Sequence, residues 1–149
     1  YTAADILEQC RKLDEAGIEY YFVYMTGLAG KDGGYRNARN SAELFSQLNP
    51  YFVSVDSLTL FPDTELYQMA QQGLFVPAEE KERIRELQML INNLNIRTHL
   101  FANTVSNFTP VTAYLPYDRE KVTSELQYVL DNTDEMEMRK YRNNLKSLG

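Results

Sequence analysis

One nearly continuous run of aromatic, β-branched and aliphatic residues limits the choice of fold: Tyr20-Tyr21-Phe22-Val23-Tyr24-Met25. Such a run predicts a β-strand that is buried on both faces, as in a parallel sheet. The run ends in a glycine-rich turn over Thr26–Gly34. Because parallel strands need long crossover connections, usually helices, the rest of the chain is expected to alternate helices with strands.

Apolar periodicity and turn residues place the remaining elements. A first helix follows the N-cap candidate Thr2 and ends at Gly17. Later helices are predicted over Arg36–Leu48, from Thr64 to Gly73, from Pro77 through Leu94, and over Asp118–Leu130, with strands over Tyr51–Leu60 and Ile96–Phe101. Asn103–Pro116 is predicted to be an irregular loop, and the charged tail is predicted to be helical.

This order of elements is typical of βαβ units around a parallel sheet, so we predict an α/β fold with a short parallel sheet and helices packed outside it. The 149 residues are enough for one domain with its own core. We find no internal repeat and no linker-like stretch before the tail, so a single domain is the simplest interpretation.

The composition narrows the possible partners. A formal net charge of −6 argues against general affinity for nucleic acid phosphates. No apolar run is long enough to cross a bilayer, and no secretory signal is found at the start, so no membrane partner is expected. Cys10 is the only cysteine, which excludes an internal disulfide and a cysteine-clamped metal site. These features favour the cytoplasm.

Ligands of α/β sheets bind beyond the carboxyl ends of the strands. Three predicted loops leave such ends, over Thr26–Gly34, Phe61–Thr64 and Ala102–Asn107, and we expect them to lie on one face. The first loop lacks both the Gly-Lys-Ser/Thr ending of a P-loop and the GxGxxG spacing of a dinucleotide site. It is either a ligand-approaching loop or a flexible turn.

Four polar residues are candidates without an assigned role. His99 lies in a predicted strand among apolar residues, and a lone histidine there is more often structural than catalytic. Asp56 lies within the second strand, where it either binds a ligand or is a satisfied polar residue. Ser106 and Asn107 either hydrogen-bond a ligand or close a turn. No catalytic residue is therefore assigned.

Several short motifs occur in a familiar order, namely Tyr24-Met25-Thr26-Gly27-Leu28-Ala29-Gly30, Asn49-Pro50, Leu58-Thr59-Leu60-Phe61-Pro62-Asp63-Thr64-Glu65-Leu66-Tyr67, Gly73-Leu74-Phe75, Ser106-Asn107 and Leu115-Pro116-Tyr117-Asp118. Together they resemble the second half of the radical SAM (S-adenosylmethionine) domain, in the branch of oxygen-independent coproporphyrinogen oxidases and related iron–sulfur oxidoreductases. The resemblance spans roughly residues 2 to 130. Ala29 and Asp63 depart from it, because proline and glycine are common at these positions.

The resemblance implies that residues 1–130 are the C-terminal part of a TIM-like barrel and that residues 131–149 are a tail. The fifth and sixth barrel strands line the SAM adenine site in that family, so Met25, Thr26, Gly27, Leu60 and Phe61 would contact SAM. An ordinary core role is the alternative for the apolar members of this set.

The family holds a four-iron four-sulfur cluster through a CxxxCxxC loop. Three thiolates are required for that ligation, and Cys10 alone does not supply them. The chain by itself is therefore expected to bind no cluster and to be inactive. SAM, the cluster and a small-molecule substrate are expected only in the full-length protein.

Two further hypotheses remain open. The chain is alternatively a free-standing, non-enzymatic α/β binding or interaction module that lacks the cluster. A hydrolase or transferase would require Asp56 and His99 to converge in one cleft. Because half a barrel leaves a strand without its neighbour, we also expect a homo-oligomer formed through that exposed strand edge or through the inner sheet face.

Overall fold

Helices and strands alternate along residues 1–145, which are the residues that this computed structural model describes. The helices are α1 (Ala3–Ala16), α2 (Gly34–Phe45), α3 (Glu65–Gln71), α4 (Glu80–Asn93), α5 (Arg119–Asn132) and α6 (Glu135–Asn143). The strands are β1 (Tyr21–Thr26), β2 (Phe52–Ser57), β3 (Thr98–Ala102) and β4 (Val111–Leu115). The predicted α/β class is confirmed.

The strands form one sheet in the order β1-β2-β3-β4. β1, β2 and β3 run parallel, whereas β4 pairs antiparallel with β3. The prediction of an irregular loop over Asn103–Pro116 is wrong for β4. Pro110 and Pro116 flank this strand and suggest a loop, but proline is compatible with the ends of an edge strand.

Helices cover one face of the sheet. The core packs side chains of α2, α4 and α5 against the inward residues of the strands, such as Val53, Val55 and Leu100, which are fully buried. Each strand alternates buried with more exposed positions, as expected when only one face is packed. Along residues 1–145 the helical layer therefore lies on a single side.

The opposite side, here called the open face, carries the other half of the strand residues. They are Tyr21, Val23, Met25, Phe52, Ser54, Asp56, His99, Phe101, Thr112 and Tyr114. The prediction that the first strand is buried on both faces is wrong for residues 1–145, because Tyr21 and Val23 are each 57% exposed. The strand has the composition of a doubly covered strand, but residues 1–145 cover it on one side only.

Local signals explain most element boundaries. Thr2 and Asp5 form a reciprocal capping box on α1, and Gly17 ends that helix with a φ of 66°. Thr64 caps α3, as the sequence predicts. The long helix begins at Glu80 rather than at Pro77. The predicted helical tail is α6 where the structure describes it, and residues 146–149 lie outside the described residues.

A search of the described helices for a membrane span found none with the length and apolar character that crossing a bilayer requires.

Candidate functional site

The loops that follow β1, β2 and β3 meet at the carboxyl edge of the sheet. Thr26 lies opposite Ser57 in the parallel register, and their buried hydroxyl groups are 2.8 Å apart. The Ser57 hydroxyl donates to Asn107 Oδ1 at 3.0 Å, and the Ser57 amide donates to Ser106 Oγ at the same distance. The predicted meeting of strand-end loops is thus observed for these residues.

Ser106 and Asn107 follow β3 in the chain, and their side chains form hydrogen bonds with backbone groups of β2. Asn107 Nδ2 donates to the carbonyl oxygen of Val55 at 2.8 Å and to Thr104 Oγ1 at 3.2 Å. Ser106 and Asn107 are 1% and 4% exposed. Of the two roles left open by the sequence, this geometry favours closing the turn over contacting a ligand.

Asp56 and His99 both lie on the open face but at opposite ends of it. Thr104 Oγ1 donates to Asp56 Oδ1 at 2.6 Å. His99 is exposed, and its ring centroid lies 4.7 Å from that of Tyr114. Since His99 pairs with Phe52, four residues before Asp56, the two side chains are separated by roughly 13 Å along the strands. They do not converge in one cleft.

The glycine-rich loop after β1 is held by hydrogen bonds to the first half of α4 and to the segment before that helix. The Gly27 amide donates to Glu86 Oε2 at 2.8 Å, and Gly27 has the positive φ of 81° that glycine tolerates. The Lys31 amide donates to the Val76 carbonyl at 2.8 Å, and the Asp32 amide donates to Glu82 Oε1 at 3.0 Å. These three amides are therefore not available to a phosphate or another anion.

Glu86 forms a buried polar network that the sequence analysis missed. Its side chain is 2% exposed and accepts a 2.5 Å hydrogen bond from the Tyr24 hydroxyl. Asn37 Nδ2 donates to the same hydroxyl at 2.9 Å. Burial, with Glu86 as the next cause, raises the pKa of Tyr24 well above its usual range. This tyrosine is thereby held in its neutral, donating form.

A second missed network joins α4 to α6. Arg142 Nε and Nη2 donate to the two carboxylate oxygens of Glu80 at 2.6 and 2.9 Å. Arg83 donates to the carbonyl oxygens of Ala78 and Leu58. Burial is the main cause that lowers the pKa of Arg83. All three charged residues are less than one-tenth exposed.

The spacing of the charged residues in α4 is a sequence signal that could have indicated these networks. Glu80, Arg83 and Glu86 recur every three residues, nearly in phase with the apolar stripe that begins at Ile84 and Leu87. Charged residues on the inward face of a helix need buried partners. Arg142 carried no such signal, because it lies in the charged tail.

The five residues that the resemblance predicts to contact SAM lie in different places in the structure. Met25 is half-buried on the open face, opposite Asp56. Thr26 is fully buried with its hydroxyl bound to Ser57, and Gly27 is held by Glu86. Leu60 and Phe61 line a cleft of about 680 Å³ between the loop after β2, α3 and α6. The five residues do not line one pocket within residues 1–145.

Cys10 is the buried cysteine of α1, and burial raises the pKa of its thiol. Within residues 1–145, no three His, Cys, Asp or Glu side chains come together as a metal site. Comparisons with protein-family models, with curated proteins and with solved structures found no match to this chain.

Proposed function

We propose that residues 1–130 are the C-terminal part of a radical SAM barrel, and that the chain is inactive alone. In the full-length protein it would supply part of the SAM and substrate side of an iron–sulfur oxidoreductase. The order of the sequence motifs suggests this family. The open face of the sheet is the structural observation that carries the proposal.

Parallel sheets occur almost only with both faces covered, by helices on each side or by closure into a barrel. Here three parallel strands have helices on one face, while the other face exposes Tyr21 and Val23. A barrel interior is the natural environment for such a face. The open face would then be the inner wall of a TIM-like barrel whose other strands lie outside residues 1–145.

The two edges of the sheet differ in a way that supports this arrangement. β1 has β2 on one side and no strand of residues 1–145 on the other, so it offers backbone groups to a preceding strand. β4 is antiparallel and departs from the repeating (β/α) pattern. The missing strands would therefore join at β1, and β4 would end the parallel series.

The chain does not fit the iron–sulfur cluster, because its single thiol is buried in α1. The cluster would have to be held by a preceding segment. For SAM the chain offers one wall: Met25 faces the open side at the carboxyl end of β1, near Asp56. The Thr26 hydroxyl is already bound to Ser57, so a Thr26 contact with SAM would be limited to the backbone.

A longer protein tests the proposal. The gene segment that precedes Tyr1 is expected to encode an in-frame CxxxCxxC motif. We expect the longer protein, reconstituted with iron and sulfide without oxygen, to show the absorption of a four-iron four-sulfur cluster and to bind SAM. The 149-residue chain serves as the control and is expected to take up no cluster. A start codon just before Tyr1, or a longer protein that lacks both activities, would contradict the proposal.

The alternative of a free-standing binding module has one observation in its favour. The polar side chains at the strand ends, Thr26, Ser57, Ser106 and Asn107, bind one another rather than facing a ligand. A module would use the exposed aromatic residues of the open face instead. The same gene context separates the two proposals, since a module needs no preceding cysteine motif.

A further inference from the structure

A cleft of about 680 Å³ opens beyond the carboxyl end of β2. It lies between the loop 58–62, α3, residues 77–78 and α6. Its walls combine apolar surface from Leu60 and Phe61 with hydrogen-bond donors on Arg83, Tyr67 and Gln71. The volume is within the range of small-molecule sites, which are mostly apolar with a few placed polar groups.

Arg83 is the unusual member of this lining. It is 5% exposed, yet only two of its five N–H groups have acceptors within residues 1–145: Nε donates to Ala78 and Nη1 to Leu58. One N–H of Nη1 and both of Nη2 have no acceptor among residues 1–145. Donors without an acceptor among residues 1–145 bind water or a ligand, because an N–H group that makes no hydrogen bond costs free energy.

The carboxylates of Glu80 and Glu86, which lie near Arg83, accept hydrogen bonds from other residues. Both oxygens of Glu80 are bound by Arg142, and Glu80 Oε1 is 3.8 Å from Arg83 Nε. The two oxygens of Glu86 accept from Tyr24 and from the Gly27 amide. Arg142 donates hydrogen bonds to Glu80, Leu58, Thr59 and Ser106. Of the two buried arginines that line the cleft, Arg83 and Arg142, only Arg83 therefore has N–H groups without an acceptor among residues 1–145.

We propose that the cleft binds a small organic acid whose carboxylate docks on Arg83 and whose apolar part lies against Leu60 and Phe61. A guanidinium presents planar, paired donors that match the two oxygens of a carboxylate. Arg139, 57% exposed at the rim, adds positive charge near the entrance of a protein whose net charge is −6. The inference goes beyond the proposed function, because Arg83 belongs to none of the motifs that suggest the family.

Titration of the 149-residue chain with hexanoate, followed by amide chemical shifts in NMR, tests the proposal. Hexanamide has the same apolar body without the charge, and acetate has the charge without the body. We expect saturable shifts with hexanoate at residues 58–62, 67–71 and 78–83, and at least tenfold weaker binding of hexanamide and of acetate. Arg83→Gln is expected to weaken hexanoate binding at least tenfold, whereas Arg85→Gln, an exposed arginine of the same helix, leaves it unchanged.

Because Arg83→Gln also removes two buried backbone contacts, a second variant keeps Arg83 intact. Ala70→Phe fills the cleft from α3, and Gln68→Phe places the same ring on the exposed side of that helix. We expect only Ala70→Phe to abolish the hexanoate shifts while both variants remain folded. Three results would each overturn the proposal. Hexanoate and hexanamide could bind equally, or the shifts could map to other residues. The titration could also fail to saturate, which would mean that water alone accepts from Arg83.

Discussion

The carboxylate of Glu86 joins three segments that lie far apart in the sequence. It accepts from Tyr24 on β1 and from the Gly27 amide in the following loop, and it lies 3.3 Å from Asn37 Nδ2 on α2. At 2% exposure the carboxylate has little access to water. Each lost donor therefore leaves part of a buried charge uncompensated, which makes this network sensitive to single substitutions.

Tyr24→Phe removes one of these donors and keeps the ring. We expect the free energy of unfolding to fall by about 1–3 kcal/mol, because Glu86 loses a buried partner. Tyr128→Phe is the matched control, since Tyr128 is 69% exposed on α5, and its effect is expected to stay within about 0.5 kcal/mol. Urea denaturation of the three proteins measures both effects; equal stability of Tyr24→Phe and the parent would contradict this role of Glu86.

Tyr20 provides a pH-dependent prediction. Burial raises the pKa of Tyr20 to about 12, whereas an unfolded tyrosine titrates near 10. A raised pKa means that folding favours the neutral form, so this contribution to stability is present below pH 10 and is lost as the pH rises toward 12. We expect Tyr20→Phe to show a shallower loss of stability over this window than the parent, with the exposed Tyr51→Phe as control; parallel pH profiles for all three would disprove it.

The residues of the strand ends show what sequence reasoning reaches. The rule that strand ends of a parallel sheet meet at one edge placed the loops that hold Thr26 and the Ser106-Asn107 pair correctly, but it did not single out Ser57, which joins them. It did not reveal which of the polar groups at the strand ends already have hydrogen-bond partners within the protein. That depends on partners such as Glu86, which lies about sixty residues away in the chain and is brought to Gly27 only by folding.

At the scale of elements, α6 is fixed to the first turn of α4 by both of its ends. The Glu135 carboxylate accepts from the Glu80 and Lys81 amides at 2.8 and 3.0 Å, where a helix start has unpaired N–H groups. Arg142, near the other end of α6, forms the two-pronged pair with Glu80. The segment after residue 130, predicted as a charged helical tail outside residues 1–130, is therefore packed against α4 where the structure describes it.

Arg142→Met tests this attachment. It leaves Glu80 buried beside Arg83 without its main partner, and we expect a loss of about 3–5 kcal/mol in unfolding free energy. Arg139→Met is the matched control on the same helix, because Arg139 is 57% exposed and contacts Glu135 at 3.4 Å; its loss is expected to stay below about 1 kcal/mol.

The double variant Arg142→Met/Glu80→Gln removes the stranded charge and is expected to recover part of the loss. Guanidinium denaturation of the parent, the single variants Arg142→Met and Glu80→Gln, and the double variant gives the coupling energy of the pair. Similar losses for Arg142→Met and Arg139→Met would mean that the buried pair does not hold α6.

Most elements were predictable because the chain carries strong periodic signals. The long helix α4 and the parallel pair β1 and β2 were expected from the sequence. β4 was not, although Val111, Ala113 and Leu115 alternate as a strand with one buried face does. Five residues between prolines carry too little local information, and the strand is defined mainly by its pairing with β3.

For the molecule as a whole, the open face is the feature that the described fold leaves unexplained. Tyr21, Phe52, His99 and Tyr114 form a row across the four strands, with ring centroids of Tyr21 and Phe52 4.5 Å apart. The row crosses the amino ends of the parallel strands, away from Asp56. In barrels that end contributes stability, whereas ligands bind at the other end. The row is therefore best interpreted as a packing surface.

An apolar packing surface next to a free strand edge favours association of the 149-residue chain with a second copy. We expect light scattering to show an apparent mass that rises with concentration from 17.3 kDa toward twice that value. Val23→Lys places a charge in the middle of the β1 edge on the open face and is expected to weaken association by about tenfold or more, since an unpaired lysine is costly to bury. Val76→Lys makes the same charge change at a loop position that is 55% exposed, and it should leave association unchanged. A monomer at every concentration, or equal weakening by both variants, would mean that the open face is not where two copies meet.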